Sequence, residues 1–172
     1  MLRVLSMTVF IFIAFILQSS SFGSLALGGI VPNLLVILTA AYGFMRGEKS
    51  GLFVGLICGF LCDVCFGDML GFYALLYMYI GFLNGKFYRV FYPEDIKLPL
   101  LLIAVSDLTF SVSCYLLLFL LNGKFEFLWY IIHVIIPELL FTILATILFY
   151  PILLVVNHLL EKRERKREQK FV

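Results

Sequence analysis

VLSMTVFIFIAFILQSSSFGSLALGGIVPNLLVILTAAYGFM, residues 4–45, contains no Asp, Glu, Lys or Arg across 42 positions. A membrane-crossing helix takes roughly 20 predominantly apolar residues, so a run of this length predicts two such helices joined by a turn. The turn is expected where small residues gather, in Ser19-Ser20-Ser21-Phe22-Gly23-Ser24, extended by Gly28-Gly29. Arg3 followed by Val4 to Leu17 also has the outline of a signal peptide. That apolar stretch is long, no clear Ala-x-Ala site follows it, and the next segment is itself apolar, so the first span reads as retained.

The rest of the chain has the same character. Of 172 residues, 63% are hydrophobic and 14% charged, with a mean hydropathy of +1.07. Soluble domains are about half apolar and about a quarter charged. A water-soluble enzyme and a disordered chain are both excluded, which leaves an integral membrane protein. Its spans are expected at about 4–20, 27–45, 50–66, 69–87, 98–121 and 135–160, in one all-α domain, followed by a basic tail at 161–172. Residues 127–136 would lie partly in the interface before Pro137 opens the sixth span, and Pro151 should kink it.

Six spans put both termini on one side. Arg3, Arg46, Lys49, Lys86, Arg89, Lys97 and the six basic tail residues then share that side, 12 of the 13 Lys and Arg, with Lys124 opposite. The positive-inside rule assigns that side, and both termini, to the cytoplasm. The tail mixes six basic with three acidic residues between Glu161 and Lys170 and suits anionic headgroups better than nucleic acid.

Small residues recur every fourth position at Gly43, Gly47, Gly51, Gly55 and Gly59, and Asp63, Gly67 and Gly71 continue the register. Gly51, Gly55 and Gly59 form a strip on one helix face that lets another backbone approach closely, either within this chain or from a partner. Asp63 follows one turn later. Inside the spans, Asp107 falls near the midplane of the fifth, and Glu138 follows Pro137 with His133 five residues before it. Charge at such depth is costly, so these acids should face the bundle interior. Two readings stand: an internal polar cavity lined by Asp107, His133 and Glu138 and used for transport or proton relay, or buried hydrogen bonds that fix helix register.

Cys58, Cys62 and Cys65 have a spacing seen in cluster-binding loops, but on an apolar helix they read as small hydrophobes between helices. Cys114 stands alone, and neither a metal site nor a cofactor is expected. Gly-x-Ser-x-Gly, His-Glu-x-x-His and P-loop motifs are absent from the sequence, and Asp63 and Asp68 lack the frame of a two-metal membrane transferase.

The order of these features resembles the rod shape-determining protein MreD family over nearly the whole chain. The residues that carry the resemblance are Pro32-Asn33 opening the second span, Arg46-Gly47, Gly55-x-x-x-Gly59-x-x-x-Asp63, Leu70-Gly71, Asp107 in the fifth span and Pro151 in the sixth. The resemblance implies a non-catalytic multi-pass subunit of the bacterial cytoplasmic membrane, part of the cell-elongation machinery. It further implies partnership with MreC, a link to RodA and its transpeptidase, and direct or indirect contact with MreB filaments. Gly51, Gly55, Gly59, Asp63 and Gly71 would organise a helix or partner contact. MreD-like proteins are in turn similar in fold to the substrate-binding component of energy-coupling vitamin transporters. That likeness supplies the alternative function, small-molecule binding, with Asp107 and Glu138 as ligand contacts.

Overall fold

A computed structural model describes residues 2–24, 31–67, 70–90, 96–120 and 127–168, and the described residues contain helices and no strands. In order these are α1 (Leu2–Ser24), α2 (Leu34–Arg46), α3 (Glu48–Phe66), α4 (Phe72–Lys86, followed by a 3-10 turn, Phe87–Val90) and α5 (Lys97–Cys114, continued as a π turn, Tyr115–Leu120). Then come α6 (Phe127–Tyr130), a π turn (Ile131–Ile135) and α7 (Ile136–Glu168), without interruption.

α2 is the centre of the bundle. It is apolar all round, and every residue from Leu34 to Met45 is buried against α1, α3, α4, α5 and α7. Its 13 residues rise only about 20 Å, well short of the roughly 30 Å hydrocarbon core. Such a helix suits a membrane where protein rather than lipid surrounds its ends. Among the described residues, three helical stretches are long and apolar enough to cross a membrane, Glu48–Phe66, Lys97–Leu117 and Leu128–Leu160, while Ser6–Ser19 and Leu34–Arg46 are shorter apolar helices. The described helices are thus of unequal length and pack around the short α2.

Several boundaries differ from the sequence reading. The turn expected at Ser19–Ser24 is helical, α1 running on to Ser24, and Ser19 Oγ donates to Ile16 O at 3.1 Å. Gly28, Gly29, Asp68 and Lys124 lie outside the described residues. The last helix begins before Pro137, not at it. Pro137 has no N–H to return to the turn behind it, and the wide π turn stands immediately before it. Pro151 lies inside α7, which is assigned as helix throughout.

Side-chain contacts fix how the helices run. Gln18 meets Leu35, so α1 descends antiparallel to α2. Arg46 Nε donates to Asn157 Oδ1 at 2.6 Å, which ties the end of α2 to the late part of α7. Asn84 Nδ2 donates to Ser106 Oγ at 2.7 Å, while Tyr77 packs against Phe110 with tilted rings, so α4 and α5 are also antiparallel. Arg46, Lys49 and Lys86 consequently gather at one end of the bundle, and Asn33, Asp63 and Glu138 lie toward the other.

Candidate functional site

The glycine strip is filled by this chain's own α4. A methyl group added at Gly51 would overlap the Gly81 carbonyl, one at Gly55 would come within 2.6 Å of the Tyr77 carbonyl carbon, and one at Gly59 within 2.6 Å of Ala74 N. The partner face is built the same way. Gly81 stands against Gly51 and Gly85 against Glu48, so a second small-residue strip, Gly81-x-x-x-Gly85, answers the first. That answering strip was visible in the sequence at the same four-residue spacing. Gly47 acts through its backbone instead, where a φ of +90° turns the chain between α2 and α3.

Asp63 closes the α3–α4 hairpin from inside. Its Oδ2 accepts from Gly71 N and Ala74 N, both at 3.0 Å, and its Oδ1 accepts from Tyr73 N at 2.8 Å. α4 has no side-chain cap of its own, because Gly71 occupies that position with φ +98°. Asp63 supplies the missing cap from the end of the neighbouring helix, where the N–H groups and the helix dipole both favour a carboxylate. Gly71 has nothing within 4 Å of an added Cβ, so backbone conformation, not space, selects glycine there.

The head of α2 is a second polar centre. Four consecutive N–H groups each find a different acceptor: Asn33 N on Thr142 Oγ1 (3.2 Å), Leu34 N on Pro32 O (3.0 Å), Leu35 N on Gln18 Oε1 (3.2 Å) and Val36 N on Asn33 Oδ1 (3.3 Å). Tyr77 OH donates to the same Asn33 Oδ1 at 3.0 Å. A helix that starts inside a bundle has no water to satisfy its first turn, and here α1, α4 and α7 supply the partners. Pro32 and Asn33 were expected to shape the start of α2. Gln18, Tyr77 and Thr142 were not singled out; the signal for Gln18 was a lone amide in an otherwise apolar run.

Across α5 and α7, Ser111 Oγ donates to Glu138 Oε2 at 3.2 Å. One turn along each helix, Asp107 lies beside Thr142, and Glu138 is within electrostatic reach of Asp107. Asp107 is 1% exposed, and neither carboxyl oxygen has a hydrogen-bond partner, since the Thr142 hydroxyl donates to Glu138 O at 2.9 Å. The structure thus brings Asp107 and Glu138 together but leaves out His133. That residue is exposed, stacks on Trp129 with ring centroids 4.8 Å apart and sits 3.1 Å from Trp129 O. The placement of His133 in an internal cavity is therefore corrected: the π turn carries it to the outer surface of the bundle.

The three spaced cysteines do not converge either. Cys58 and Cys62 are buried in the α2–α3 core, whereas Cys65 is exposed, and no group of three or more metal-ligating side chains forms among the described residues.

A cleft of about 180 Å³ opens beside the head of α2, bordered by Gln18, Asn33, Tyr77 and Glu138. Two apolar grooves lie elsewhere: one between α1, α2 and α7 near Ala14 and Leu153, the other between α5 and α7 near Ala104 and Ile143. The polar groups described above cap helix ends or bridge helices.

Searches of curated proteins and of solved structures return no match. The family model for the rod shape-determining protein MreD matches residues 1–161, which takes in every helix described above as far as the basic end of α7. The chain belongs to the MreD family of rod shape-determining proteins.

Proposed function

We propose that this protein is a non-catalytic scaffold subunit of the cell-elongation machinery in the bacterial cytoplasmic membrane. In this reading it binds MreC and couples it to RodA, the elongation transpeptidase and MreB filaments, so that peptidoglycan is added along the cylinder. The observation that carries the reading is the family match over residues 1–161. The scaffold-like character of the bundle supports it: Asp63, Asn33, Gln18 and Thr142 hold helix ends together.

The six crossings with both termini cytoplasmic belong to the same proposal. They rest on the clustering of Arg46, Lys49 and Lys86 at one end and on the positive-inside rule. Because α4 occupies the glycine strip, the contact with MreC belongs on another face of the bundle. Depletion in the native rod-shaped host tests the proposal. Cells should widen and round as the protein is lost, and affinity-tagged protein should copurify MreC from gently solubilised membranes. Unchanged width and form after depletion would overturn it.

A further inference from the structure

We propose that the cleft beside the head of α2 is a binding site for a small organic ammonium ion. Five aromatic rings border it, those of Phe15, Phe66, Tyr73, Tyr77 and Phe110, with Glu138 as the one carboxyl group and no basic side chain among the described lining residues. The rings pack in two groups: Phe110 lies 4.9 Å from Tyr77 and 6.1 Å from Tyr73, and Phe15 lies 5.8 Å from Phe66, centroid to centroid. Aromatic faces attract a cation through their quadrupole, most strongly where water is scarce, and a carboxylate beside them supplies the counter-charge.

The hydrogen bonds show which of the amide and carboxyl oxygens are already engaged. Gln18 Oε1 accepts from Leu35 N, and Asn33 Oδ1 already takes Val36 N and the Tyr77 hydroxyl. Glu138 takes one hydroxyl, that of Ser111, and a carboxylate has capacity for several donors. An anion is the obvious competitor, because a helix N-terminus attracts negative charge. Here the first N–H groups of α2 are all matched within the protein, and an anion would meet Glu138 with Asp107 in electrostatic reach. At about 180 Å³ the cleft is smaller than a drug-sized pocket. It suits an ammonium head carrying a few carbons.

Choline and its neutral carbon analogue 3,3-dimethyl-1-butanol have the same shape and differ in charge, so they separate cation recognition from apolar filling. Titrated by saturation-transfer NMR and calorimetry against the full chain in nanodiscs, choline should bind saturably, with a Kd of roughly millimolar and at least about tenfold tighter than the alcohol. Glu138→Gln keeps the shape and the capacity to accept from Ser111; it should weaken choline at least about tenfold and abolish the preference over the alcohol. Phe110→Leu should weaken choline about threefold with little effect on the alcohol. No saturable choline binding by folded wild-type protein overturns the proposal. So does equal binding of the two molecules, or unchanged affinity in folded Glu138→Gln. If Glu138→Gln does not fold, the comparison of choline with the alcohol on wild-type protein decides.

Discussion

Replacing Gly55 and Gly59 by alanine tests how the α3–α4 seam is built, because the sign of the effect depends on what lies opposite. On an open helix face, Gly→Ala stabilises by up to about 1 kcal/mol through backbone entropy. On the seam each methyl meets backbone. At Gly55 it would lie 2.6 Å from the Tyr77 carbonyl carbon and 2.9 Å from Met78 N, and at Gly59 2.5 Å from Tyr73 O, where ordinary contact begins at 3.4 Å. A backbone atom cannot rotate away as a side-chain tip can, so α4 must retreat by roughly 1 Å, which forfeits about a quarter to a half of the dispersion energy at each contact along the seam. Overpacking of this kind costs about 1–3 kcal/mol per site, and about 2–4 kcal/mol for the pair, since the second methyl uses part of the room made for the first. The retreat would also lengthen the three bonds from Asp63 to the first turn of α4. The assay is equilibrium unfolding of purified protein in mixed micelles with increasing SDS, followed by circular dichroism, with MreC copurification measured on the folded fraction. An unfolding midpoint equal to or above wild type would refute the packing argument. Loss of MreC with an unchanged midpoint would transfer the strip to the partner.

Other perturbations reach the remaining polar contacts. Asp63→Ala leaves the N–H groups of Gly71, Tyr73 and Ala74 without their acceptor and should destabilise by at least about 2 kcal/mol, with faster hydrogen exchange at those amides while α7 is unaffected. Asp107→Asn replaces a carboxyl group that has no hydrogen-bond partner with a neutral isostere. It should preserve stability and restore rod shape in depleted cells, and round cells would instead argue for proton transfer through Asp107. Tyr77→Phe removes the bond to Asn33 Oδ1 and should cost about 1 kcal/mol in the same unfolding assay. His133→Ala should change the unfolding midpoint little, because the ring is exposed and stacks on Trp129 one turn away.

Periodicity and charge made much of the fold legible. The charge-free run at 4–45 announced two apolar segments, and the four-residue glycine spacing announced a close helix contact. Helix ends were less legible, since they depend on what a neighbouring helix offers. Ser19–Ser24 looks like a turn in isolation, yet α1 runs through it to Ser24. The unequal lengths followed the same logic. Nothing in Leu34–Arg46 says that it must stop at 13 residues; it can stop there because Gln18, Asn33 and Thr142 meet its first N–H groups inside the bundle.

That dependence also explains which site residues a reading of the sequence finds. Asp107 and Glu138 stand out because charge is rare in an apolar segment. Gln18, Tyr77 and Thr142 carry no charge, and each becomes important only through what faces it: an amide of α2 for Gln18 and Thr142, and the Asn33 side chain for Tyr77. Asp63 sits between these cases. Its register with the glycines is visible, but its role as the cap of α4 requires the hairpin to be closed. The two features reinforce each other. The glycines bring α4 near enough for the carboxylate to reach its first turn, and the carboxylate fixes the register that sets Gly81 against Gly51. A change that relaxes either should therefore loosen both, so the Asp63→Ala and Gly55→Ala/Gly59→Ala effects should combine to less than their sum. Strict additivity in that double-mutant cycle would mean that the cap and the seam stabilise the hairpin independently.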